Sequence, residues 1–77
     1  MTRTYWEGEL YRGRELAGID VDWEERETPE EALEDVRNVL STLSTRERDG
    51  ITGGAVQWEE TDGCGTCTGQ YRDFEED

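Results

Sequence analysis

One stretch of this chain has spacing that belongs to a recognised chemistry: Cys64-Gly65-Thr66-Cys67. Two cysteines three positions apart on a Gly-rich loop can turn both thiolates toward a single zinc ion. A structural zinc site takes four ligands, and the chain has no His and no other Cys. Completing the site requires a carboxylate such as Asp62, or a second copy of the same loop, so the cofactor this motif points to is zinc shared between two chains. A redox pair would sit at a helix N-terminus, where the dipole lowers a thiol pKa, whereas strand-like residues follow Cys67. Reduced thiols, shared zinc and a local disulfide are the three readings of this pair.

The other candidate chemistries are weaker. Asp20, Asp22 and Glu24 alternate along an extended stretch, which would put three carboxylates about 7 Å apart on one strand face. That is a patch for a basic partner rather than a calcium loop, which needs convergent ligands and a sharp Gly turn. Nucleophilic triads need a base, and His is absent. Gly53-Gly54 neither follows a strand nor opens a helix, so it is no phosphate loop. The expectation is a protein that is not an enzyme. Three Trp, three Tyr and one Phe are many for a small core. The expectation is that Trp6, Trp23 and Trp58 form a layer beneath a helix, while Tyr5 and Tyr11 face a partner from the other side of a sheet.

These side chains are positioned by a few short elements. Residues 4–12 read as a strand with Trp6 and Leu10 on one face and Tyr5, Glu7, Glu9 and Tyr11 on the other. Gly13 suits a hairpin turn. Residues 16–25 read as the clearest strand, because Ile19, Val21 and Trp23 alternate with acidic residues. Thr28-Pro29-Glu30-Glu31 has an N-cap Thr, Pro at the first helical position and Glu at the third, a capping box. Ala32, Leu33, Val36, Val39, Leu40 and Leu43 then trace an amphipathic stripe, and the helix should fade near Ser44 or Thr45. Residues 51–60 read as a strand with Val56 and Trp58 inward, 61–65 as a loop, 68–74 as a fourth strand and 75–77 as a frayed tail. The expected fold is α+β, in the order β-β-α-β-β. It is one domain spanning 1–77, an antiparallel four-stranded sheet with one helix packed across one face.

Charge decides which partners are open to the protein. Twenty-one Asp and Glu oppose eight basic residues, all Arg, for a net charge of -13 over 77 residues. Nucleic-acid or anionic-membrane binding through a basic patch is thereby excluded. The acidity fits three physical situations: adaptation to molar salt, imitation of nucleic acid, or an acidic surface for a basic protein partner. At one charge per ~1.7 Å of duplex, the net charge matches about 22 Å of DNA. In molar salt a Debye length of roughly 3 Å removes the repulsion between carboxylates. A chain that is 31% hydrophobic and 38% charged, with mean hydropathy -1.04, has a thin stability margin. No apolar run is long enough to span a membrane, and residues 1–9 lack signal-peptide regions, so a cytoplasmic location is expected.

The stretch T-P-E-E-A-L-E-D-V-R-N-V-L-S-T-L, residues 28–43, resembles the helix of small HicB-type antitoxin domains. The resemblance covers about a fifth of the chain and rests on capping and amphipathic signals, so it implies a helix and no function. The composition is similar to that of small haloarchaeal proteins. The sequence therefore leads to a small, non-catalytic interaction or regulatory protein with a salt-adapted acidic surface, working as a homodimer or with a protein partner. The alternative is a nucleic-acid mimic that blocks a DNA-binding defence enzyme.

Overall fold

The computed structural model describes residues 2–19 and 21–75. Asp20 of the expected acidic patch, and Glu76 and Asp77 of the expected tail, lie outside the described residues. The elements are β1 (Thr2–Arg12), β2 (Glu15–Leu16), α1 (Pro29–Thr42), α2 (Thr45–Arg48), β3 (Ile51–Thr61) and β4 (Cys64–Asp73). The strands form one antiparallel sheet in the order β2-β1-β3-β4. The fold is α+β, with one main helix. No helix among the described residues is long and apolar enough to cross a membrane.

The β1–β3 pairing is the spine. It runs without interruption from Thr2 opposite Thr61 to Arg12 opposite Ile51. With a side-chain period of two, this register fixes both faces. Trp6, Gly8 and Leu10 share one face with Gly53 and Ala55, while Tyr5, Glu7, Glu9 and Tyr11 share the other with Gly54, Val56 and Trp58.

The helix lies on the first of these faces. Thr28 caps it, its hydroxyl oxygen accepting from the Glu31 backbone N–H at 3.3 Å. The Glu31 carboxylate turns to the Thr28 hydroxyl, at 3.0 Å, so the reciprocal half of the expected capping box is replaced by a side-chain pair. Ala32, Val36 and Leu40 are the buried stripe of α1. Leu10, Val36 and Leu40 form the centre of the core, with Ala17, Ile19, Trp23, Val39, Leu43, Ile51 and Phe74 packed around it. Val36 sits on a floor without side chains. A Cβ on Gly8 would lie 2.8 Å from Val36 Cγ2, and one on Gly53 would lie 2.7 Å from Val36 Cγ1. Glycine at both positions lets the helix approach the sheet closely.

The structure corrects four features of the sequence reading. Of the strand expected over 16–25, Leu16 is the one described residue that lies in a strand, at the end of β2. The chain turns at Gly18, whose φ of +72° is a conformation L side chains rarely adopt, and arches away from β1. It rejoins β1 at one bridge, where Trp6 and Arg26 exchange backbone bonds of 2.7 Å each. Ile19 and Trp23 still pack on the core, so their alternation records burial rather than ladder pairing. Secondly, Val56 and Trp58 turn away from the helix, because their partners Glu7 and Tyr5 do. Thirdly, α1 ends at Thr42, and a separate turn of helix, α2, starts at Thr45 with Ser44 as its N-cap. Ser44 and Glu47 make a complete capping box that the reading did not use. Lastly, residues 61–65 are not a loop: Asp62 and Gly63 alone make the β3–β4 turn, with φ of 51° and 84°.

The glycine floor yields a test. Gly53→Ala puts its methyl group against Val36 and near the Glu9 carbonyl, and is expected to cost about 1–3 kcal/mol through overpacking. Combined with Val36→Ala, which empties the space, the two losses should sum to less than their separate values in urea unfolding.

Candidate functional site

The cysteines are placed where their spacing works against them. Both lie in β4, in regular register: Cys64 opposite Thr61 and Cys67 opposite Trp58. Three positions along a regular strand turn the two side chains to opposite faces, so the pair does not converge as a C-x-x-C loop would. Both thiols are free and exposed. Among the described residues no three His, Cys, Asp or Glu side chains gather in a group able to hold a metal.

The expected acidic strip is also dispersed. Asp22 and Glu24 are exposed on the arch after β2 rather than on a strand face. Glu24 pairs with Arg26 at 3.1 Å. Arg26 holds Asp35 of α1 by two parallel bonds of 2.8 and 2.9 Å, tying the end of the arch to the helix. That bidentate contact raises the Arg26 pKa above its ordinary value. Elsewhere Arg3 pairs with Glu25 at 2.8 Å and Arg72 with Glu30 at 2.6 Å, and this contact, after a backbone bond, holds the Glu30 carboxyl low.

The feature left with open chemistry is the sheet face opposite the helix. Tyr5 and Tyr11 do face this side, as expected, but they differ. Tyr5 is buried, with the Arg3 guanidinium 4.8 Å above its ring. Tyr11 is half-buried and meets Tyr71 edge to face at 6.1 Å between ring centres. The missing side chain of Gly54 makes room for this pair: a Cβ there would lie 2.7 Å or less from three atoms of the Tyr71 side chain. Tyr71 is 44% exposed and brings a third element, β4, to the site. Its contribution was hidden in the sequence, because β4 is irregular. Between Val56 opposite Tyr71 and Trp58 opposite Cys67, β4 carries a bulge at 68–70, with Gly69 at φ +89°. The Thr68 hydroxyl fastens the bulge to the Gln57 side chain at 2.8 Å.

Together these residues line a shallow cavity of about 280 Å³, walled by Glu9, Tyr11, Val56, Trp58, Cys67, Gly69, Gln70 and Tyr71. Glu9 accepts a hydrogen bond from the Tyr11 hydroxyl. Burial, reinforced by that bond, pushes the Tyr11 phenol well above its usual range, and burial with Asp73 nearby raises Tyr71 as well. Glu7 stands beside the cavity. Burial, then the charges of Glu25 and Glu9, hold its carboxyl above the ordinary carboxylate range. Among the described residues no Arg lies within ion-pair distance of Glu7 or Glu9. The arrangement is therefore a carbon-rich hollow with uncompensated negative charge at its edge.

No protein-family model matches the chain, and no curated protein or solved structure is significantly similar to it.

The raised Glu7 pKa has a definite sign. A carboxyl whose folded pKa exceeds its unfolded one costs stability when ionised, a cost absent below the unfolded pKa and growing as pH rises through the folded one. Glu7→Gln should raise the urea midpoint at pH 7, and the gain should shrink to nothing as the pH falls below the ordinary Glu range.

Proposed function

We propose that this protein is a non-catalytic interaction module that binds a basic segment of a partner protein on the open face of its sheet. The observation that carries this reading is the pair of carboxylates, Glu7 and Glu9, set among aromatic side chains with no arginine beside them. Half-desolvated carboxylates gain more from an incoming cation than fully hydrated ones. Trp58, Tyr11 and Tyr71 are residue types that anchor interfaces and hold cations over their ring faces.

Charge also chooses between occupants. A second copy seated on this face would bring Glu7 and Glu9 against themselves, on a chain already at -13. A basic segment brings the complement. The remaining carboxylates lie on both sheet faces, on α1, on the arch and at the Asp62 turn. Such a distribution supports salt tolerance and solubility better than the continuous stripe that imitation of a duplex needs. The reading therefore places the protein in the interior of a cell that accumulates salt, where a basic partner is met as a folded neighbour.

The test is fluorescence anisotropy with a labelled Arg/Lys-rich peptide. Binding should weaken at least tenfold in the double variant Glu7→Gln/Glu9→Gln and stay within twofold in Glu34→Gln/Glu59→Gln, which removes equal charge elsewhere. Equal losses in both variants would reduce the binding to net charge and defeat the proposal, as would a stable dimer that buries this face and excludes the peptide. Salt should act in opposite directions on fold and ligand. From about 0.05 M KCl to 1 M, where the Debye length is ~3 Å, the urea midpoint should rise while peptide affinity falls.

A further inference from the structure

The cavity between Tyr11, Trp58 and Tyr71 has a more specific chemistry than the face around it. It is bounded by three aromatic rings, Val56, a thiol and the backbone of the Gly69 bulge; its polar groups are Glu9, Gln70 and the Tyr11 and Tyr71 hydroxyls, whose protons go to Glu9 and the Gly53 carbonyl. Tyr11 and Tyr71 meet at an interplanar angle of 70°, so they form a corner rather than a stack. Trp58, paired with Tyr5 on one side and Cys67 on the other, supplies a further wall. The Tyr11 hydroxyl directs its proton to Glu9, which keeps the carboxylate at the rim and takes up part of its accepting capacity.

What such a hollow can hold follows from counting donors. A guanidinium carries five N–H donors and an unmodified ammonium three, and each donor taken out of water without an acceptor is costly. Glu9 and Gln70 cannot satisfy them all. A cation whose hydrogens are replaced by methyl groups has none to satisfy, presents carbon to the rings, and is attracted by their faces and by the carboxylate. The roughly 280 Å³ available is ample for a trimethylammonium head and part of its alkyl stem.

We infer that the Tyr11–Trp58–Tyr71 cavity, with Glu9 at its rim, recognises a methylated ammonium group, carried on a trimethylated lysine of the partner segment. The inference rests on the interaction reading above and adds the identity of its anchor. The Gly54 gap and the Gly69 bulge are then the backbone devices that shape the cavity, one by making room for Tyr71 and the other by lining its wall.

Two measurements test it on the intact protein. In a ¹⁵N NMR titration, tetramethylammonium chloride should produce saturable shifts at the Trp58 indole and at the amides of Tyr11 and residues 67–71. Shifts that match those of KCl at equal ionic strength would overturn the inference. In parallel, a peptide with one trimethyllysine should bind at least fivefold more tightly than its unmodified lysine counterpart. That preference should vanish in Tyr71→Leu, whose side chain is exposed enough to be replaced without unfolding, and should diminish in Glu9→Gln. Equal affinity for the two peptides overturns the inference and leaves the interaction reading standing. Binding of neither peptide overturns both. Saturation by tetramethylammonium or choline without a preference between the peptides overturns the assignment to lysine.

Discussion

The close seat of Val36 on Gly8 and Gly53 is the contact on which the rest of the structure depends. It is where α1 meets the β1–β3 spine, and Val36 is the largest side chain with no exposed surface among the described residues. A chain of this size has one helix of useful length, and one helix covers one face of a sheet. Fixing α1 on the face of Leu10 therefore leaves the face of Tyr5, Glu7, Glu9 and Tyr11 without a second layer. The aromatic residues on that side partly cover one another instead, Tyr71 over Gly54 and Tyr11 against Tyr71. The functional surface and the packing of the core are consequences of the same shortage of apolar mass.

The charge is distributed with the same economy. Arginines stand where the fold has joints: Arg26 between arch and helix, Arg72 between β4 and the start of α1, Arg3 between β1, the arch and β3. Arg3 lies at one end of the open face, over the Tyr5 ring, and is held there by Glu25 and Glu60. Glu7 and Glu9, farther along the same face, have no ion-pair partner among the described residues. Most of the arginine ion pairs are exposed, so each contributes little to stability alone, and concentrated salt weakens them while relieving the general repulsion.

The sequence made the helix legible because capping, dipole and periodicity all agree between Thr28 and Leu40. It also made the two faces of β1 legible, since Leu10 and Glu9 fall on opposite sides of a regular strand. It failed wherever burial and ladder pairing separate. Ile19 and Trp23 alternate like strand residues yet pack from an arch, since a positive-φ turn at Gly18 takes the backbone off the ladder. Val56 and Trp58 share a face as expected, but an apolar pair beside Gly53 and Ala55 gives no sign of which side the helix takes. The small residues mark the covered side here, because close approach of Val36 needs them. Tyr71 gives no local sign of its place in the site, because the bulge at 68–70 slides β4 along β3 and so decides which β3 residue Tyr71 stands opposite, Val56, without changing its face. Cys64 and Cys67 misled for a related reason: their spacing has meaning on a turn and a different one on a strand.

The bulge at 68–70 also bears on how the sheet ends. β4 is the outer strand, exposed along its whole length, and an exposed, flat edge is a template on which another chain can add a strand. The bulge divides that edge into two short stretches offset in register against β3, neither long enough for a well-registered addition. At the opposite side, β2 offers only two residues before the arch folds across. Both borders are thus closed to edge-to-edge growth, and a domain with so small a core is kept from polymerising through its own backbone.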